Sequence, residues 1–557
     1  MRREVVVAAV TTVSTVVVAG VLIVRWRNRD ERRWRQTQRI LRKFANDCAT
    51  PVPKLWHIAF DLVSEMQTSL CDQSQTDYVM HPSFIYSLPQ GIEEGLYYGV
   101  NLREASFVML RARLIGRDQP EPITDLDKEA VDIPSELMSA SIKELFDYIA
   151  LKLAVFISIN TKTNPIAPKS KLGFTVSFPL REGPSEVSRS VIKWKSSRFN
   201  DAVGYELGCE FNKALEKHGI DLRVSAFVDA TLGDLAGGRY YNKDCVAAVT
   251  LGEATNAVYA ELNQPTPDAN FDKFGETVID MQWGNFNTPH LPITQFDMAL
   301  DSDSSNRGYR IFEKLIGGRY LGEVVRRVLL KMAKETALFG ETVPAKLKTP
   351  YILRSPDMAA MHQDTSENRD TIQEKLMEVF GITYTTLAVR EIVAEVCDVV
   401  AERAARLSGS CIVGILKKRG RINDKRNVVI IEGGLYEQYR VFRNLLHSSV
   451  WEMLGSTLSD NVVVERAHGG SGAGTIFVAA AHSEIYGQQS TSPSFSSHGI
   501  DDHRDLGTHD NQAAGSDELV YQAEYMDDRT ETASIKEGDQ TSDQLDSSDD
   551  DEDDEEA

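Results

Sequence analysis

The segment AFVDATLGDLAGGRYY, residues 226–241, sets two carboxylates, Asp229 and Asp234, where an apolar run meets a series of small residues. A carboxylate displayed at the end of a buried strand can take a proton from an attacking hydroxyl, which is the work of a general base. Two other stretches, EGGLYEQY at 432–439 and GGSGAG at 469–474, concentrate glycine, which is a weak signal by itself. Asp229 and Asp234 both stay open as the base. The six cysteines (Cys48, Cys71, Cys209, Cys245, Cys397, Cys411) are far apart and form no CxxC or Cys/His cluster. They read as reduced thiols, and no metal site is expected.

Something must position these residues. The runs LGFTVSFPL (172–180), CVAAVTLG (245–252), NVVIIEGG (427–434) and NVVVERA (461–467) have the composition of buried strands. Amphipathic helices are expected at 320–340 and 386–409, the second ending on Gly409 as its C-cap. The opening segment itself reads as strand, glycine-punctuated turn and helix. The alternation makes the chain α/β, and strand–glycine–turn units in each half imply two lobes facing a cleft.

The ends differ from the body. Val5 to Val24 is free of charge and, as a helix, would span about 30 Å, the thickness of a bilayer core. Arg25, Arg27, Arg29, Arg32, Arg33 and Arg35 follow, with Trp26 and Trp34 at interfacial positions, which places the body in the cytosol. An uncleaved anchor is the expectation and a processed targeting segment the alternative. At the other end, residues 484–557 hold 23 carboxylates against three basic residues, so they carry nearly all of the net charge of −21. With few apolar residues, this tail is expected to be disordered. It could also serve as an electrostatic interaction platform, with Ser547 and Ser548 as phosphorylation candidates. The rest of the chain is near neutral and shows no basic footprint for nucleic acid.

Several segments, taken in order, resemble the hexokinase family, most closely the membrane-anchored plant hexokinases. They are LGFTVSFPL, IKW at 192–194, AGGRYYN, TNAVYAE, WGNF, FEKLIGGRYLGEVVRRVLLKMA, SPDMAAMHQDTS and GILKKRGR, spread over residues 40 to 485. The resemblance implies the two-lobed actin-like ATPase fold, with glucose, ATP and magnesium meeting in the cleft. It implies an anchor and basic flank at 1–40 and a small lobe at 41–225 plus 470–485. A large lobe at 226–469 and the tail at 486–557 complete the order. It also implies an organelle outer membrane, the mitochondrial one foremost.

The same resemblance puts the chemistry in doubt. The family's base is the aspartate of an Asn–Asp–Thr triplet, and here the triplet reads Asp229, Ala230, Thr231. Asp229 takes the asparagine's place, and Asp234 matches a residue of the following turn. The first phosphate loop, rich in glycine in the family, is NLREASFV at 101–108, with Asn101, Arg103, Glu104, Ala105 and Ser106 at its contact positions. The second is GEATN at 252–256, where Glu253 replaces a threonine and Thr255 is retained. Gly433, Gly434, Gly470, Ser471 and Gly472 resemble the adenosine loops. Sugar ligands map to Ser177, Asp229, Asn256, Gln282 and Glu313, with Gln282 replacing a glutamate. The stretch WKSSRF is one residue longer than its counterpart, so neither Lys195 nor Ser196 is assigned. Met358, Met361 and His362 are read as packing. The expectation is a membrane-anchored member with impaired phosphotransfer that acts in glucose signalling or as a scaffold for protein partners. A slow hexokinase using Asp229 or a water as base is the alternative, and an interaction platform working through the tail is the third reading.

Overall fold

Thirteen strands form among the described residues, because runs rich in Val, Ile, Phe and Tyr pack well on a pleated, half-buried surface. The first eight are β1 (His81–Pro82), β2 (Glu94–Leu102), β3 (Ser106–Ile115), β4 (Ile123–Asp132), β5 (Lys171–Val176), β6 (Leu180–Glu182), β7 (Arg189–Val191) and β8 (Arg223–Asp229). β9 (Cys245–Leu251), β10 (Thr255–Leu262), β11 (Glu276–Asp280), β12 (Asn427–Glu432) and β13 (Val462–Arg466) follow. One sheet has the order β4-β3-β2-β5-β8 and the other β1-β11-β10-β9-β12-β13. In the first, the antiparallel strands β4, β3 and β2 are followed by the parallel β5 and β8; in the second, the antiparallel β1, β11, β10 and β9 are followed by the parallel β12 and β13. A closely similar plan thus occurs twice, in keeping with the two lobes that the recurring strand–turn units implied.

This computed structural model describes residues 29–83, 87–137, 140–160, 171–177, 180–182, 189–191, 206–262, 275–420, 422–423, 425–470 and 472–481. Val5–Val24, Lys195, Ser196, Ser471 and the acidic tail lie outside them. Among the described residues no helix is long and apolar enough to cross a membrane.

Five helices matter for the site: α1 (Ala230–Tyr241), α2 (Gly318–Thr336), α3 (Leu387–Lys418), α4 (Arg440–Ser459) and α5 (Gly474–Ala481). α5 is buried along its whole length and packs on β2 and β5. A Cβ on Gly173 would lie 1.9 Å from the carbonyl oxygen of Thr475, so strand and helix approach to backbone contact. α1 crosses α5 in the same way, since a Cβ on Gly474 would lie 2.4 Å from the carbonyl carbon of Gly233. Together α1 and α5 fill the layer between the two sheets, in one apolar cluster that includes Ala226, Val228, Ala248 and Ile430. Helices Ile142–Asn160 and Leu207–Lys217 cover the other face of the first sheet. α2, α3 and α4 cover the second.

Three expectations are corrected here. No glycine turn separates strand from helix in the opening segment. β8 ends at Asp229, α1 starts at Ala230, and Gly233, Gly237 and Gly238 lie inside the helix as packing sites. Gly409 does not cap its helix, because α3 continues to Lys418. Gly409 instead admits α4, where a Cβ would lie 2.1 Å from Ser449 Oγ. The helix Val52–Cys71, assigned by chain order to the small lobe, buries Leu55, Ile58 and Leu62 in the same core as α2, α3 and α4.

Candidate functional site

Asp229 is both the last residue of β8 and the N-cap of α1, and its Oδ1 accepts the Thr231 N–H at 2.9 Å. That position aims its carboxyl into a recess of about 50 Å³, lined also by Ser177, Ala230, Thr250, Asn256 and Gln282. A chain of hydrogen bonds organises the wall. Asn256 Nδ2 donates to Asp280 Oδ1 at 2.8 Å and to Asp229 Oδ1 at 3.3 Å. Gln282, held at a positive φ of 47°, donates from Nε2 to Asp280 Oδ2 at 2.8 Å. Glu313 stands next to this network, accepting the Thr255 N–H at 3.5 Å and paired with Arg310. Ser177, Asp229, Asn256 and Gln282, named from sequence, therefore do converge.

Asp280 and Arg310 were missed. Asp280 is buried at the end of β11 and organises both amides. It lies two residues before Gln282, but β11 ends at Asp280 and Gln282 is left-handed, so no strand spacing in the sequence linked the two. Arg310 contributes to the recess and neutralises Glu313 from a left-handed position at the start of a short helix.

A larger cavity of about 700 Å³ adjoins the recess, sharing Ser177, Ala230, Thr250, Ala254 and Arg310 with it. Four backbone corners frame it: the β2–β3 turn at Arg103–Ala105, the β9–β10 turn at Gly252–Ala254, Gly433–Gly434 after β12, and Gly472 before α5. Gly433 is required there. It has φ 115°, and a Cβ would lie 2.4 Å from the Leu251 carbonyl oxygen. The loop expected at 101–108 is a hairpin whose turn is only three residues, closed by Arg103 N–H donating to Ser106 O at 2.8 Å. Ser106 belongs to β3 and is not among the lining residues. Asn101 Nδ2 donates to Thr175 Oγ1 at 2.7 Å, and its Oδ1 accepts Arg103 Nε at 2.9 Å. Gly470 has a positive φ of 73° and lies away from the lining. Thr255 is corrected: it faces the recess, not the cavity. Its hydroxyl donates to Thr250 O and accepts Trp283 Nε1–H, each at 2.8 Å.

The charges in the cavity are unlike those of an anion cradle. Glu104, Asp234, Glu253, Asp303, Glu313 and Glu432 line it, against Arg103, Arg310 and Arg319. Glu104 reaches Arg319 at 3.8 Å. The first N–H groups of α2, which could otherwise face an anion, are taken by carbonyls: Gly318 N donates to Gly252 O and Arg319 N to Glu253 O. Asp234 is not in a turn. It lies one helical turn beyond Ala230 on α1, 8% exposed. Burial, then the charges of Glu432, Asp229 and Glu437, hold its carboxyl well above the usual carboxylate range. Burial and the neighbouring Asp280 charge raise Asp229 to about 7. Burial also raises Glu313, against the opposing charge of Arg310.

The residue common to recess and cavity at the head of α1 is thus a methyl group, Ala230, with Asp229 on one side and Asp234 on the other. Met358 and Met361 are fully buried, and His362 is held between Tyr439 and Asp398, as packing residues are.

Two family models, both described as hexokinase, match residues 40–240 and 246–481. Hexokinase-1 of Spinacia oleracea is 42% identical over 499 residues, covering 87% of this chain and 99% of its own length. Hexokinase-1 of Arabidopsis thaliana is 42% identical over 493 residues, again covering 87% and 99%. Among solved structures, a hexokinase from Schistosoma mansoni complexed with glucose aligns with TM-score 0.70 at 26% identity, covering 80% of this chain and 99% of that one.

Proposed function

The chain belongs to the hexokinase family, and from that premise we propose that it holds a hexose in the recess while transferring phosphate to it poorly or not at all. One observation carries this reading: of the residues that line both recess and cavity, the one at the head of α1, next to Asp229, is Ala230, which has no proton acceptor. Loss of a general base alone costs about 10²–10⁴ in rate. The recess supplies a hydrogen-bonding wall of Asp229, Asn256 and Gln282 suited to hydroxyl groups.

The family generally uses ATP and magnesium, and the cavity does not fit that pair. A carboxylate about 4 Å from a phosphate charge is opposed by ~4 kcal/mol at an effective dielectric of 20. Glu253 and Asp234 both line the space. In this reading Val5–Val24 tethers the body to an organelle outer membrane, and the protein reports hexose to protein partners. The hydropathy of that run and its arginine flank support the tether.

A coupled phosphorylation assay with glucose and ATP tests the proposal. The expected turnover lies at least ~100-fold below the ~10 s⁻¹ of an ordinary enzyme. Turnover within tenfold of that value would overturn it. One observation favours a second reading, a slow hexokinase. Asp229 lines the recess and titrates near neutrality, as a working base does. Under that reading Asp229→Asn abolishes the residual rate. Under the first, it leaves any residual rate of the wild type unchanged.

A further inference from the structure

The cavity is lined by a nearly buried carboxyl. Asp234 is 8% exposed and lines the 700 Å³ space, and among the described residues no hydrogen-bond donor reaches it. Buried polar groups are normally bonded. The groups facing Asp234 do not relieve it. Glu432 and Glu437, from the segment after β12, and Asp229, from the end of β8, add negative charge. Arg103 opposes them from the β2–β3 turn, but its Nε is already given to Asn101. Lys128 faces Glu432 and Glu437 from β4, and Arg466 faces Glu437 from β13.

What is missing at Asp234 is therefore a positive charge that also brings N–H donors. A metal ion needs several oxygen ligands at once. Among the described residues no group of three or more His, Cys, Asp or Glu could hold one. A primary ammonium needs less: one or two carboxylates within reach, and room for its carbon frame.

We propose that Asp234, with Glu432 beside it, forms a subsite for the primary ammonium group of a small aliphatic amine. Such a ligand occupies the half of the cleft where a nucleoside triphosphate does not fit, so the inference rests on the reading of an impaired kinase. The amine restores the ionic state of Asp234 and supplies the bonds it lacks. The adjoining recess remains available to a hexose.

The test is thermal unfolding of the full chain with putrescine, tetramethylammonium or ATP–magnesium, in wild type and in Asp234→Asn and Glu432→Gln. Amine collecting on the acidic tail does not enter the measurement, because the transition reports the folded body. Putrescine is expected to raise the wild-type Tm by about 3 °C or more at ~10 mM. Tetramethylammonium, which carries charge without N–H donors, is expected to leave it unchanged. Asp234→Asn is expected to lose the putrescine shift while matching or exceeding the wild-type Tm in the ligand-free state. If Asp234→Asn fails to fold, Glu432→Gln is expected to cut the shift at least by half. A putrescine shift that survives both substitutions overturns the subsite, as does a tetramethylammonium shift of equal size. No response to either putrescine or ATP–magnesium overturns the subsite and leaves the impaired-kinase reading standing. A response to ATP–magnesium alone overturns both.

Discussion

The recess and the cavity lie on either side of Ala230, and sequence change has treated them differently. In the recess the carboxylates remain and are absorbed into a bonded network, with Asp280 accepting from both Asn256 and Gln282. In the cavity the carboxylates of Glu253 and Asp234 stand at an open space, and no bond within the described residues compensates Asp234. A binding wall survives substitution when each polar group can find another partner. A site for a highly charged anion does not survive a change in the sign of its lining.

The largest effect expected from breaking this contrast is on phosphotransfer. Ala230→Asp restores a carboxyl between the two spaces but leaves the cavity lined by Glu104 and Glu253. We expect the single change to stay within ~10-fold of the parent rate. Joined with Arg103→Gly, Glu104→Gly and Glu253→Thr, it is expected to gain a further ~10²-fold or more, since base and charge stabilisation act in the same step. A coupled assay on the two variants reads the difference. Full rescue by Ala230→Asp alone would mean that the cavity was never hostile to nucleotide.

The recess makes its own prediction through pH. The folded protein keeps a proton on Asp229 up to about 7, whereas an unfolded chain releases it near ~4. The stability tied to that proton is complete below about 4 and lost as pH rises toward 7. Asp229→Asn removes the titration, so its stability should fall less than that of wild type across this window. The difference is of the order of a few kcal/mol. Denaturant midpoints at pH 5 and pH 8 measure it, and equal slopes for the two proteins would show that Asp229 is not the group that titrates.

The layer that carries both spaces is sensitive to volume. At the crossing of α1 and α5 backbone meets backbone, so a methyl group on Gly474 has nowhere to go. Gly474→Ala should cost about 1–3 kcal/mol in chemical denaturation. Gly308→Ala serves as a solvent-side control, with nothing within 4 Å of its Cβ. Its positive φ of 77° confines the cost there to backbone strain.

These residues also show where sequence was informative. β9, β12 and β13 were legible almost to the residue, because parallel or central strands read as continuous apolar runs. β2 and β3 were not, although both are largely buried. Glycine, asparagine and arginine interrupt them, and the family's loop pattern drew attention to 101–108 instead. The sugar-side residues were found because their type and order match a known pattern. Asp280 was not, since its role depends on which amides fold against it. Asp234 was assigned to a turn because the three glycines around it suggest one. The close crossing that they permit appears only once α5, some 240 residues later, is placed against α1.

Thr255 gives the cleanest separation of the two spaces. Sequence placed it with the nucleotide, but its hydroxyl is used between Thr250 O and Trp283 Nε1, inside the wall of the recess. Thr255→Val keeps the shape and removes both bonds, leaving a buried indole N–H without its acceptor. Stability should drop by about 1–3 kcal/mol, and the hexose-induced rise in Tm should shrink with it. The response of the cavity to any ligand should stay as in wild type, because Thr255 does not line it. If instead hexose binding is untouched and the cavity response changes, Thr255 acts across the boundary, and the recess and cavity are one site.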